Sequence, residues 1–170
     1  MGALHTSVPR WPAEIPAVDP AGRAVALLAF GAAGKRLLTA WRAAVPERTP
    51  VWSHVVDRAD DDSLGLLARQ VTEARVGWRL MLAGPEVDVL AARSVAIGLG
   101  VLDAEIRMVV TGAARKRVFC PHCRGTTETA APVAAEVPCA GCGRRLHVYA
   151  HVSRRLGAYL GFMADAEEVA

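Results

Sequence analysis

Apolar residues come in runs and helical stripes through the first two thirds of the chain, and in strict alternation near its end. Arg23 to Phe30 is a nearly continuous apolar run that stops at Gly31. Such a run suits a strand buried on both faces of a parallel sheet. From Ala32 the period turns helical, with Leu37, Leu38, Trp41 and Val45 on one face and Pro46 as the stop. The cycle repeats: Val51 to Val56 predicts a strand, Asp60 to Ser63 supplies N-cap chemistry, and Leu64 to Glu73 predicts a helix. Trp78 to Ala83 predicts a third strand, Gly84-Pro85 a turn, and Glu86 to Leu99 a helix striped by Val87, Leu90, Ala91, Val95 and Leu99. Gly98 and Gly100 stand near its end, where a left-handed cap costs little. Glu105 to Val110 predicts a fourth strand. Alternation of this kind implies βαβ units with right-handed crossovers. Residues 21–112 are therefore expected to form an α/β domain, a small parallel sheet in a three-layer arrangement.

The flanks read differently. Residues 1–20 hold four Pro and little periodicity, and are expected to be an extended arm that frays or packs on a partner. After residue 112 a basic linker, Ala113 to Val118, leads into a Cys-rich stretch that ends near Gly143. Leu146, Val148, Ala150 and Val152 then alternate with His147, Tyr149 and His151, the period of a strand. Residues 113–162 are read as a second module and 163–170 as an acidic tail.

The cysteines carry the strongest chemical signal. Cys120-x2-Cys123 and Cys139-x2-Cys142 are separated by fifteen residues, the spacing of a four-thiolate zinc site. Two thiolates three residues apart reach one ion from a single tight turn, and two such knuckles complete a tetrahedron. Gly125, Gly141 and Gly143 stand where the backbone must turn toward sulfur. With strands at Arg117 to Phe119 and Leu146 to His151, this predicts a C-terminal four-cysteine zinc ribbon. Iron fits the same sulfur geometry, and two disulfides would need an oxidising compartment. A ribbon of about 45 residues buries too little core to fold alone, so the metal is expected to stabilise it. Four protein ligands leave no open position for catalysis by that ion.

Composition narrows the field. Of 170 residues, 52% are hydrophobic and 22% charged, which excludes a disordered chain. The longest uncharged apolar stretch, Ala24 to Gly34, is too short to cross a bilayer. Met1 to Trp11 lacks the plan of a signal peptide, although Met1-Gly2 with Thr6 formally fits a myristoylation pattern. A cytoplasmic protein with no membrane association is expected. The net charge of +3 does not by itself argue for nucleic acid. Arg115 to Arg155 holds eight basic residues against two acidic ones, which keeps a nucleic-acid-binding zinc ribbon open as a lesser alternative.

Other features are less specific. Phe30-Gly31-Ala32-Ala33-Gly34-Lys35 joins a strand to a helix, where free amides can hold phosphate. It matches neither dinucleotide-binding fingerprint nor P-loop, and a tight turn explains it. Trp11, Trp41, Trp52 and Trp78 read as core or interface aromatics, and His147, Tyr149 and His151 as a half-exposed strand face. Asp60 to Asp62 reads as a solvated helix start. Tyr149 to Phe162 mixes two Arg, two Gly and three aromatics, and suits either a tail closing the ribbon over the α/β core or a partner-binding tail.

Two resemblances follow. Leu80-Met81-Leu82-Ala83-Gly84-Pro85-Glu86, the helix through Gly100, and Glu105-Ile106 resemble the last βαβ of the NAD-binding half of ferredoxin reductases. That family usually has Cys-Gly-Pro where this chain has Ala83-Gly84-Pro85, and places the loop near the nicotinamide. The resemblance implies cofactor-binding candidates at Ala83, Gly84 and Pro85; with Gly31 and Gly34 of the first strand-to-helix turn, they leave the alternative of a nicotinamide-nucleotide-binding electron-transfer component. The order of features is more informative. A reductase-like α/β half, the Cys120 to Cys142 quartet, then His151 to Phe162 and an acidic end resemble the small subunit of dimethylamine monooxygenases. That family implies an NAD(P)H- and O2-dependent complex that demethylates dimethylamine. It implies flavin, an iron–sulfur cluster and haem on larger catalytic and reductase subunits. This chain would be a zinc-holding, non-catalytic subunit that docks and organises those partners, with Cys120, Cys123, Cys139 and Cys142 as metal ligands and no catalytic residue of its own.

Overall fold

The computed structural model describes residues 7–164, and the chain divides into two compact units. Trp11–Ala113 form one; the described residues outside that range form the other.

In the first unit, strands and helices alternate as β1 (Ala24–Phe30), α1 (Gly31–Ala44), β2 (Val51–Val56), α2 (Asp61–Thr72), β3 (Trp78–Pro85), α3 (Glu86–Gly98) and β4 (Ile106–Gly112). All four strands pair in parallel, in the order β2-β1-β3-β4. Leu27 and Met81 face Leu38 and Trp41 of α1, while Leu28 and Leu82 join Leu67 of α2 and Val89 of α3 in the other core. The sheet is thus covered on both faces, which is why β1 reads as an unbroken apolar run. The expected mixed α/β class with a parallel sheet is observed.

Two local expectations change and one holds. Gly84 and Pro85 do not form a turn but end β3, pairing with Val110 and Gly112 across a register shift. Pro is tolerated there because the ladder is already broken by the bulge. Helix α3 is not striped: Glu86, Asp88 and Arg93 are buried beside its apolar residues, and Leu99 is exposed. The helix packs on α2 as well as on β3 and β4, and Asp88 and Arg93 find partners. Asp88 accepts the Ala59 amide at 2.7 Å, and Arg93 donates to Asp103 at 2.7 Å. As expected, a glycine near the helix end takes the left-handed backbone: Gly98 is the last helical residue and Gly100 has φ +96°.

Residues 11–19 lie along this same unit. Trp11 Nε1 donates to Glu86, Trp41 Nε1 donates to the Pro16 carbonyl, and Arg107 donates to the Ala17 carbonyl. The Arg79 guanidinium beside Asp19 holds that carboxyl below the usual carboxylate range. The segment reads as an arm in sequence because its bonds are made by scattered, single residues rather than by a repeating pattern.

The second unit holds β5 (Lys116–Phe119), β6 (Thr126–Thr129), β7 (Glu136–Pro138), β8 (Arg145–Ser153) and β9 (Ala158–Met163). They form one sheet in the order β6-β5-β9-β8-β7. The stretch read as a basic linker already holds most of β5. Tyr149 to Phe162, read as a tail, runs through the end of β8 into β9, the central strand, antiparallel to β8 and parallel to β5. It can lie so close to β5 because Gly161 has no side chain, and a Cβ there would sit 2.8 Å from the Phe119 carbonyl oxygen. Val118, Val137, Leu146, Val148, Val152 and Tyr159 form the core with Cys120 and Cys139. The final residues of the acidic tail and the Met1-Gly2 pattern lie outside the described residues. Among the described residues, no helix is long and apolar enough to cross a membrane.

Candidate metal centre

Each cysteine pair sits at the tip of a hairpin. Cys120 to Cys123 lie between β5 and β6, and Cys139 to Cys142 between β7 and β8. The two turns are built alike. The Arg124 amide donates to the Cys120 carbonyl at 2.8 Å, and the Cys120 amide to Gly125 at 2.9 Å. In the second turn, Gly143 donates to Cys139 at 2.9 Å, and Cys139 to Arg144 at 2.8 Å. Buried Thr127 ties the hairpins together by accepting the Ala140 amide at 2.9 Å.

Sequence reasoning placed all the special backbone geometry on glycine. The structure corrects this: in the first knuckle Arg124, not Gly125, takes the positive φ (61°), matching Gly143 (72°) in the second. Gly125 and Gly141 serve a different purpose. A Cβ on either would approach the Cys123 sulfur, at 3.3 and 3.1 Å. Both leave room for the sulfurs to converge.

The four Sγ atoms lie within 4.8 Å of one another. Cys120 and Cys142 are separated by 3.8 Å, and Cys123 and Cys139 by 3.6 Å. A disulfide needs about 2.05 Å. A tetrahedral ion bound at about 2.3 Å sets its sulfurs roughly 3.8 Å apart. The cluster therefore fits a single metal ion held by four thiolates, and Cys120 and Cys139 bring it against the ribbon core. The thiols differ in acidity. The Cys142 amide, then that of Gly141, pulls Cys139 down to about 6 against the effect of burial. The Arg144 amide lowers Cys142, but burial and the neighbouring sulfurs outweigh it and push that thiol up to about 11. Cys123 is also raised, because the Cys139 sulfur and burial outweigh the Gly125 amide.

The loops singled out for nucleotide meet in the first unit, where two of their glycines are closely packed. Gly34 lies where a Cβ would fall 2.5 Å from the Ala83 carbonyl oxygen, and one on Gly84 would fall 2.7 Å from Phe30 Cβ. Gly31 supplies a positive φ (66°) at the start of α1. The first turn of α3 carries Glu86 and Asp88, both buried carboxyls. Glu86 was not singled out from the sequence. Its Oε2 accepts Trp11 Nε1 at 2.7 Å, while its Oε1 is buried without a partner.

A two-unit chain with a parallel α/β half and a four-thiolate ribbon is the class these features define. Residues 117–162 match the model of the family "Dimethylamine monooxygenase subunit DmmA-like, C-terminal domain". The chain is also 41% identical over 103 residues to the "Heme-dependent oxidative N-demethylase delta subunit" of Ectopseudomonas mendocina (strain ymp). That match covers 61% of this chain and 58% of the relative, so it spans little more than half of that protein. The resemblance to the small subunits of dimethylamine monooxygenases is thus found in both comparisons. No solved structure matches the chain.

Proposed function

We propose that this chain is a zinc-stabilised, non-catalytic small subunit of a multicomponent amine monooxygenase of the oxidative N-demethylase type. The observation that carries the reading is the four-cysteine cluster lying within the segment that matches the family model. Cys120, Cys123, Cys139 and Cys142 would hold the ion, and a bound zinc would supply structural cross-linking with no open coordination position. Zinc is favoured over iron on general grounds, since a four-thiolate site joining two hairpins is its commonest structural use. Reduced thiols suit a cytoplasmic setting. The α/β domain and the ribbon then act as two separate modules that dock catalytic and reductase subunits. Flavin, iron–sulfur cluster and haem belong to those partners.

The rival reading, nicotinamide-nucleotide binding at Gly31, Gly34, Ala83, Gly84 and Pro85, has less support. Gly34 and Gly84 already have packing reasons, and two carboxyls occupy the first turn of α3 where a phosphate would be repelled.

The test is reconstitution with the larger subunits of the complex. The chain is expected to co-purify with them, to be required for dimethylamine-dependent NAD(P)H and O2 consumption, and to turn over nothing alone. Full activity of the larger subunits without it, or saturable submillimolar NAD(P)H binding to the isolated chain, overturns the reading.

A further inference from the structure

One face of the ribbon sheet is closed by its own core, and the other is not. The register places Phe119 beside Leu160, and His147 beside Phe162, on the face opposite Val118, Val148 and Tyr159. Tyr149, two residues beyond His147 on β8, shares that face. Tyr149 is 47% and Phe162 51% exposed, and they meet edge to face with centroids 5.0 Å apart. His151 extends the row, 6.5 Å from the Tyr149 ring. Large aromatics at this exposure, gathered on one sheet face, mark an interaction site rather than scattered surface residues.

Charge says what kind of surface completes it. On this face of the β5–β6 edge, Arg117 stands beside Glu128 in register and Arg115 pairs with it, two cations to one carboxylate. On this face of the β7–β8 edge Arg145 pairs with Glu136 at 3.4 Å, whereas Arg144 reaches Met163 beside Leu146 on the other side. The aromatic centre is thus bordered by an excess of positive charge along β5–β6 and by the paired Arg145 and Glu136 along β7–β8. A protein surface with an apolar middle and a carboxylate-rich rim is complementary to it. Single-stranded nucleic acid fits less well. It needs parallel ring faces for stacking, whereas the edge of one ring is set against the face of the other, and Glu128 and Glu136 would meet its phosphates.

We infer that the Tyr149–Phe162 face of the ribbon is the docking site for an acidic-rimmed surface of a partner subunit. The inference rests on the subunit reading above and assigns the contact to one face. Aromatic anchors at the middle of such a face carry most of the affinity, and the charged rim sets its salt dependence.

The experiment uses the full chain co-expressed with the larger subunits and captured through a tag on one of them. Variants are Tyr149→Ser/Phe162→Ser, and Val76→Ser as a control on the other unit, where Val76 is 91% exposed. The expected result is at least a tenfold loss of association in the double variant, with metal content unchanged. The control binds as wild type does, and wild-type binding weakens as salt rises. If wild type and double variant bind equally, the docking face is elsewhere while the subunit reading stands. If wild type captures no subunit, both fall. Loss of a wild-type self-association in the double variant assigns the face to a second copy. Loss of a wild-type affinity for single-stranded DNA assigns it to nucleic acid. Either result overturns the inference.

Discussion

Arg124 and Gly143 occupy the same position in two successive knuckles. Each takes a positive φ, and each donates its amide to the carbonyl of the first cysteine of its pair. The left-handed backbone is costly for a side chain and nearly free for glycine. Nothing lies within 4 Å of a Cβ added at Gly143, so its substitution tests backbone strain alone. Gly143→Ala is expected to lower ribbon stability by about 1 kcal/mol, and Arg124→Gly to change it by less than that. Resistance to a zinc chelator, compared across the two variants, measures both.

Gly34 separates packing from ligand binding. A methyl group there meets the Ala83 carbonyl oxygen, which belongs to a central strand and has nowhere to move. Gly34→Ala should destabilise the α/β unit by about 2 kcal/mol, in the range of overpacked cores. Urea unfolding followed by Trp fluorescence reads the loss, and zinc content should not change.

Trp11 and Glu86 form a bond whose loss should exceed that of an ordinary surface contact. Glu86 is buried, and its second oxygen already lacks a partner. Trp11→Phe keeps most of the ring and removes the donor, leaving both oxygens unpaired. The expected cost is about 1–3 kcal/mol. Glu86→Gln keeps an acceptor for Trp11 and should cost less. Thermal melts of the two variants give the order.

Acid should weaken the start of α2. The Ser63 amide, with its hydroxyl, holds the Asp60 carboxyl below its usual range. A carboxyl lowered by folding contributes stability that is complete above its unfolded pKa, near 3.9, and is lost as pH falls through the lower folded value. Between pH 7 and 3, the wild type should lose α2 protection more steeply than Asp60→Asn. Amide hydrogen exchange within α2 measures the difference. Equal pH dependence contradicts it.

Regular patterns were legible in the sequence, and irregular contacts were not. Arg23 to Phe30 appears almost as predicted, as β1, because an unbroken apolar run has one good home inside a parallel sheet. The cysteine spacing sufficed because ligand geometry constrains a short turn so tightly. β9 went unread because its residues depend on neighbours on both sides: Gly161 looks like a breaker until the Phe119 carbonyl lies against it. Glu86 and Asp88 fall outside the apolar stripe read for their helix. Their burial follows from Trp11 and the Ala59 amide, far away in sequence. Arg124 gave no signal, since a left-handed arginine is set by the knuckle and not by its own preference.

The central claim is that four thiolates hold one zinc ion that keeps the ribbon folded. Metal content of the full chain, purified without added metal, tests it most directly, with Cys139→Ser measured alongside. One zinc per wild-type chain, lost in the variant together with the protease resistance of the ribbon, is the predicted result. Iron in place of zinc, or a metal-free chain whose ribbon resists protease as well as before, would contradict it.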